Sequence, residues 1–262
     1  MERVRVDGLR LAFERRGQGP PLLLLHGGAS DHREWQPQLS VFAARYTTVA
    51  WDAPGCGGSS DPPATFRFPD YADTLAAFIE AIGLERPHVL GLSWGSTLAL
   101  ELVRRHPSHV HTLVLTAAYA GWKGSLPSEE VERRLASTLH DLEGSPEAYA
   151  RRFVPSLFTP RAPAALVEET VAIVAELRPA GAEPMVRAMA EADLRDMLAS
   201  IRVPVLLLYG EEDARSPRDV ARELAEAIPG AALRFLPGAG HQANLETPDA
   251  FNEAVLAFLD GT

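Results

Sequence analysis

PHVLGLSWGS, residues 87–96, begins as an apolar run and ends on a serine set between glycines, with the apolar-faced STLALELVRR following directly (96–105). Gly91-Leu92-Ser93-Trp94-Gly95 fits G-x-S-x-G, a sharp strand-to-helix turn that holds a serine in a strained backbone conformation with its hydroxyl exposed. The glycines answer a steric demand, because a β-carbon on either side of the serine collides across the turn. Ser93 thereby falls at the carboxyl end of a buried strand and at a helix N-terminus, where unpaired N–H groups and the positive dipole end lie. Open parallel sheets bind their ligands at that edge.

Outward from this turn, strands and helices alternate. PLLLLHGG (21–28), YTTVAWDAPG (46–55) and VHTLVLTAA (110–118) are apolar on both faces, as strands buried between helix layers are. FPDYADTLAAFIEAIGL (68–84) places Leu75, Phe78, Ile79 and Ile82 at helical spacing. The first two strands, RVRV and LRLAFERRG, alternate apolar with polar around Asp7-Gly8, a hairpin signal, so the sheet is expected to open antiparallel. From about 120 to 197 the strand rhythm stops. SEEVERRLASTLHDLEG, SPEAYARRFVPSLF, APAALVEETVAIVAELRP and AEPMVRAMAEADLRDMLAS all read as helices, and Ser145-Pro146 and Thr159-Pro160 read as N-caps. Strands resume with RVPVLLLYG and AALRFLPG, each followed by a helix, with Ser216-Pro217 and Thr247-Pro248 as starts. The expectation is an α/β core of residues 1–119 and 198–262, interrupted by a helical lid of residues 120–197.

Composition narrows the function. A 262-residue chain that is 46% hydrophobic can bury one large α/β core. A net charge of −10 disfavours nucleic-acid and anionic-membrane partners, which need clustered cations, and leaves a small-molecule substrate. No apolar run approaches the roughly 20 residues that span a bilayer, and MERVRVDGLRLAFERRG has no apolar core of a secretory signal. With a single cysteine, Cys56, no internal disulfide is available, so a cytoplasmic address is expected. The sequence leaves the oligomeric state open.

A nucleophilic serine needs a base, and the base an orienting acid, in the chain order serine, acid, histidine. Of the eight histidines, His241 alone follows a late strand within a glycine loop, PGAGHQANLE. His106, His109 and His111 share one helix-to-strand turn and read as solvated residues rather than metal ligands. No metal or organic cofactor is expected. After VPVLLLYG come Glu211, Glu212 and Asp213; Asp213 is taken as the acid, with Glu212 as the alternative. Asp52 precedes the serine and reads as a loop organiser bonded to backbone. The oxyanion of an acyl-transfer reaction calls for the backbone N–H of Trp94 and one from HGGAS, for which Gly28 is the candidate because glycine lets the backbone approach substrate.

LLLLHGGAS, WDAPGCGGSSDP, GLSWGSTLALELVRRHPSHV, LLLYGEED and LPGAGHQANLETPDAF resemble, in this order, the motifs of the α/β-hydrolase superfamily with a helical cap. The resemblance implies the α/β-hydrolase fold: a mostly parallel sheet of about eight strands, flanked by helices, with an inserted cap. It implies Ser93 as nucleophile, Asp213 as acid, His241 as base, and Gly28 with Trp94 as oxyanion donors. A serine at the elbow argues against the dehalogenase and epoxide-hydrolase branches, which carry aspartate there. GLSWGSTLALELVRRHP also resembles the nucleophile segment of proline iminopeptidases. This chain departs from them in having Ala29-Ser30 where they have Pro-Gly, and Ala53-Pro54 where they have Gln-Arg. The resemblance thus implies a serine esterase acting on small carboxylic esters or lactones. A proline-iminopeptidase-like aminopeptidase, a cofactor-free perhydrolase and a carbon–carbon bond hydrolase are the alternatives. Gly27, Trp122, Phe153 and Phe158 are the candidate substrate contacts, within an apolar roof that also includes Leu135, Leu139, Leu157, Met185 and Met189. Glu129, Glu130, Glu132 and Glu168 read as a solvated helical face.

Overall fold

The computed structural model describes residues 1–262. In chain order its elements are β1 (Glu2–Val6), β2 (Leu9–Arg16), β3 (Pro21–Leu25), α1 (Gln36–Phe42), β4 (Thr47–Trp51), α2 (Phe68–Ala81), β5 (His88–Leu92), α3 (Trp94–Arg105) and β6 (Thr112–Thr116). Helices alone follow: α4 (Ser128–Leu142), α5 (Pro146–Phe153), α6 (Ala164–Val174), α7 (Pro179–Glu191) and α8 (Arg195–Leu198). The chain closes with β7 (Val205–Gly210), α9 (Arg218–Ala227), β8 (Ala232–Leu236), α10 (Ala243–Glu246) and α11 (Pro248–Leu259).

The eight strands form one sheet in the order β1-β2-β4-β3-β5-β6-β7-β8, with β1 and β2 antiparallel and β4 through β8 parallel to one another. The β1–β2 hairpin turns on Asp7 and Gly8, both at positive φ, the conformation a two-residue turn of the strands' own twist requires. Along the central strands, alternate residues enter different cores. Leu23, Leu25, Val89, Leu113, Leu115 and Leu207 join one cluster with α2, α3 and α9; Leu22, Leu24, Leu90, Val114, Leu206 and Leu208 join the other with α1 and α11. Side chains that face opposite ways along a strand therefore read in sequence as one uninterrupted apolar run. No helix is long and apolar enough to cross a membrane.

The helical segment between β6 and β7 packs against the core at one end and on itself at the other. Trp122, Met185, Met189, Met197 and Leu198 belong to the same cluster as α2 and α3, whereas Tyr149, Ala150, Val154, Val171 and Val174 form a satellite cluster of their own. Of the four expected caps, one forms through its side chain and three do not. Ser145 caps α5 by accepting from the Ala148 N–H at 3.1 Å, but no helix starts at Thr159, whose N–H and hydroxyl both donate to Glu246 Oε1. Ser216 donates to the Ala118 carbonyl, and the Thr247 hydroxyl to the Ala243 carbonyl, so neither caps its helix through the side chain. In the last three the hydroxyl is turned toward a tertiary or preceding-turn oxygen, to which it donates.

Asp52, at the end of β4, is completely buried. Its Oδ1 accepts from the His32 N–H at 2.9 Å and from His32 Nδ1 at 2.7 Å, and its Oδ2 from the Gly58 N–H at 2.8 Å, so it ties together two loops at the sheet edge. Burial acts against both charges. It is outweighed by the pairing, which leaves the Asp52 carboxyl below its ordinary range and the His32 imidazole, also facing Asp31 and Glu14, above its own. The lowered Asp52 pKa gives stability that is present above the ordinary aspartate range and lost as pH falls through the folded value; the raised His32 pKa gives stability that is present below about pH 6.5 and lost as pH rises through the folded value. Asp52→Ala is expected to cost about 3 kcal/mol near pH 5. Urea unfolding of both proteins across pH should show that cost shrinking toward pH 9 and again below about pH 4; a cost independent of pH would contradict the ion pair.

Candidate active site

Ser93 occupies the turn between β5 and α3 with φ 52° and ψ −108°. Its N–H donates to the Thr116 carbonyl at 2.8 Å, and its carbonyl accepts from Ser96 and Thr97. Ser96 pins the turn from beneath, its hydroxyl donating to the Gly91 carbonyl at 2.6 Å and the Thr116 carbonyl at 2.9 Å. There is no room for side chains on either flank. A β-carbon at Gly91 would stand 2.5 Å from the Gly95 carbonyl oxygen, and one at Gly95 would stand 2.3 Å from that of Leu25. With its backbone so held, the half-buried Ser93 makes no side-chain hydrogen bond within the protein and lines a cavity under the helical segment.

His241 reaches the same cavity from the loop after β8. Its Nδ1 lies 2.9 Å from Oδ2 and 3.1 Å from Oδ1 of Asp213, both side chains being buried. Asp213 also accepts from the N–H groups of Arg215 and Ser216, at 2.8 and 2.9 Å. Burial opposes its ionisation, but the imidazole and these two amides more than compensate and hold its carboxyl below the ordinary range. Glu212, the alternative acid, is exposed and pairs with Arg161. The structure thus brings Ser93 and His241 to one cavity and joins His241 to Asp213. No hydrogen bond links the serine to the imidazole, and such bonds often tighten only in a substrate complex.

Gly27, Gly28 and Trp94 line the cavity beside Ser93. The backbone N–H groups of Gly28 and Trp94 donate to no acceptor within the protein. A β-carbon at Gly28 would meet only the Trp94 side chain at 3.6 Å, an ordinary contact, so the protein itself imposes no steric need for glycine there. The Trp94 indole binds the helical segment to the core: it stacks on Phe68, meets Tyr71 edge-on, and donates from Nε1 to the Met185 carbonyl at 3.2 Å. Of the expected roof, Trp122, Phe153, Leu157, Met185 and Met189 line the cavity. Phe158 does not; it packs against the satellite cluster, and Leu135 and Leu139 pack against the main core.

Three features were not singled out from the sequence. Glu34 is buried between the two loops of the site, accepting from the Gly27 N–H and from Gln242 Nε2, each at 2.7 Å. Burial pushes its carboxyl up, against the pull of those donors and of His26 and His241. Glu246 joins the histidine loop to the helical segment, accepting from the N–H groups of Gly240 and Thr159. Arg215 lines the cavity. The only marker of all three is a partner far off in the chain. Asp31, His32 and Asp52 bring oxygen and nitrogen atoms within 4.8 Å of one another, but Asp31 pairs with Arg33 and Asp52 with His32, which accounts for the grouping by charge. His106 and His109 pair with Asp73 and Glu80, away from the cavity.

Residues 20–248 match the family model described as alpha/beta hydrolase fold. A relative in Azorhizobium caulinodans, provisionally named carbamate hydrolase RutD, is 32% identical, the match covering 95% of this chain and 94% of that one. Among solved structures, a thermophilic esterase from Thermogutta terrifontis with malate bound superposes with a TM-score of 0.90 at 27% identity, over 100% of this chain and 99% of that one. The enol-lactonase from Burkholderia xenovorans also gives 0.90, at 25% identity, over 99% and 100%. The chain belongs to the α/β-hydrolase family.

Proposed function

We propose that this protein is a serine hydrolase cleaving small carboxylic esters or lactones through an acyl-enzyme. The reading is carried by the His241–Asp213 contact of 2.9 Å beside a strained serine on the same cavity. With Asp213 on Nδ1, His241 presents Nε2 to take the Ser93 proton. Ser93 Oγ then bonds to the substrate carbonyl carbon, and the oxyanion falls to the Gly28 and Trp94 amides. Collapse expels the alkoxide, which takes the proton back from His241; water, deprotonated by the same imidazole, releases the acid and restores the serine. Residues 120–197 serve as the lid, keeping bulk water from the acyl-enzyme. The names of the esterase, the enol-lactonase and the carbamate hydrolase support hydrolysis at an activated carbonyl.

The aminopeptidase reading has less support, since no acidic side chain lines the cavity to meet a substrate ammonium. Glu130 instead pairs with Arg133 and Arg134, which bring its carboxyl down to about 2, and Glu168 pairs with Arg151. A panel of short esters, lactones and N-terminal proline amides tests the choice. Esters or lactones are expected to exceed the amides in kcat/KM by at least about a hundredfold; preferential turnover of the proline amides would replace this reading with the peptidase.

A further inference from the structure

Of the nineteen residues lining the cavity, twelve are hydrophobic, and Arg215 is the only one that bears a permanent charge. Arginines are abundant in this chain, but most of those near the surface stand within 4 Å of a carboxylate, as Arg33, Arg67, Arg105 and Arg178 do. Arg215 has no such partner. The carboxylate nearest to it in sequence, Asp213, is committed to His241 and to two backbone amides. The guanidinium rests on the Phe153 ring, 4.7 Å from its centroid, and donates once from a side-chain nitrogen, from Nη1 to Ser156 Oγ at 3.0 Å. Nε and Nη2 make no hydrogen bond within the protein, and together they form the side edge of the fork, which takes a carboxylate with two parallel N–H···O bonds.

From this juxtaposition we infer that the substrate carries a carboxylate besides the bond that is cleaved, and that Arg215 is the residue that recognises it. The inference rests on the hydrolase reading above and narrows it to half-esters of dicarboxylic acids and to lactones bearing a free acid. Burial disfavours the charged guanidinium, with Arg134 adding to the effect, so an anion entering the cavity relieves a standing electrostatic cost. A neutral ester gains nothing from this edge and leaves a cation against an apolar ligand. The overall charge of −10 works against long-range attraction of such a substrate, which places the selectivity in the cavity and not in the encounter.

The test compares monomethyl succinate, glutarate, adipate and pimelate with neutral methyl esters of matched length, on wild type, Arg215→Met and Arg215→Lys. For the best-fitting pair, kcat/KM of the half-ester is expected to exceed that of its neutral partner by at least about tenfold, the scale of one charge-assisted hydrogen bond. Arg215→Met should lower this ratio at least tenfold and Arg215→Lys should retain part of it, whereas a purely structural arginine would depress both esters together and leave the ratio in place. Calorimetry of the same half-esters with Ser93→Ala and with Ser93→Ala/Arg215→Met reads recognition without turnover: tighter binding to the first supports the inference, and equal or absent binding overturns it. Turnover of neutral esters with no half-ester preference overturns the role of Arg215 alone. Absence of any ester turnover counts against the hydrolase reading, and the calorimetry still decides for or against Arg215.

Discussion

Ser93→Ala is expected to lower ester turnover by about 10⁴- to 10⁶-fold, and His241→Ala by a similar factor, while Ser93→Ala/His241→Ala falls little further than either. The lack of additivity follows from the chemistry proposed. The imidazole acts on the proton of one hydroxyl, so without that hydroxyl it has nothing to deprotonate, and without the imidazole the hydroxyl is a poor nucleophile at neutral pH. Ser93→Ala should melt close to wild type, because the side chain it removes makes no hydrogen bond and is only half-buried. Steady-state kinetics on a chromogenic ester, with thermal melts in parallel, check both statements. Losses that multiply in the double variant would mean that the two residues act independently.

Gly95→Ala should damage the fold itself. The added β-carbon would sit 2.3 Å from the Leu25 carbonyl oxygen and 2.7 Å from that of His26, both backbone atoms at the buried end of a central strand. Neither can move without shifting β3, which pairs on both sides. Overpacking against such rigid neighbours costs about 3 kcal/mol, a fall in Tm of roughly 6–12 °C for a chain of this size. Gly28→Ala is the control, since its β-carbon meets only Trp94 at 3.6 Å and should leave Tm near wild type. If Gly95→Ala melts with wild type, the turn is looser than its geometry requires.

The fold was legible because its signals are local. Five apolar residues in a row, such as Pro21–Leu25, bounded by glycines, read as a central strand covered on both faces by helices, and Asp7-Gly8 between two alternating strands reads as a hairpin turn. The pairing of Asp213 with His241 could be reached from chain order, since each follows a strand that ends at the same sheet edge. What stayed hidden depends on distant partners. Glu34 looks like any acid in a charged loop until Gln242, 208 residues on, is placed against it. Arg215 looks like solvated charge beside Glu211 and Glu212 until α5 brings Phe153 over it. Thr159 reads as a cap by every local rule, and the carboxylate of Glu246 takes both its donors. Phe158, one residue beyond the cavity-lining Leu157, turns instead into the packing of the satellite cluster.

The most direct test of the central claim is labelling with a fluorophosphonate followed by peptide mass mapping, because that reagent phosphonylates a hydroxyl only when a neighbouring base removes its proton. One adduct is expected, on Ser93, formed far more slowly in His241→Ala. An adduct on another residue, or none in a preparation that turns over esters, would contradict the account.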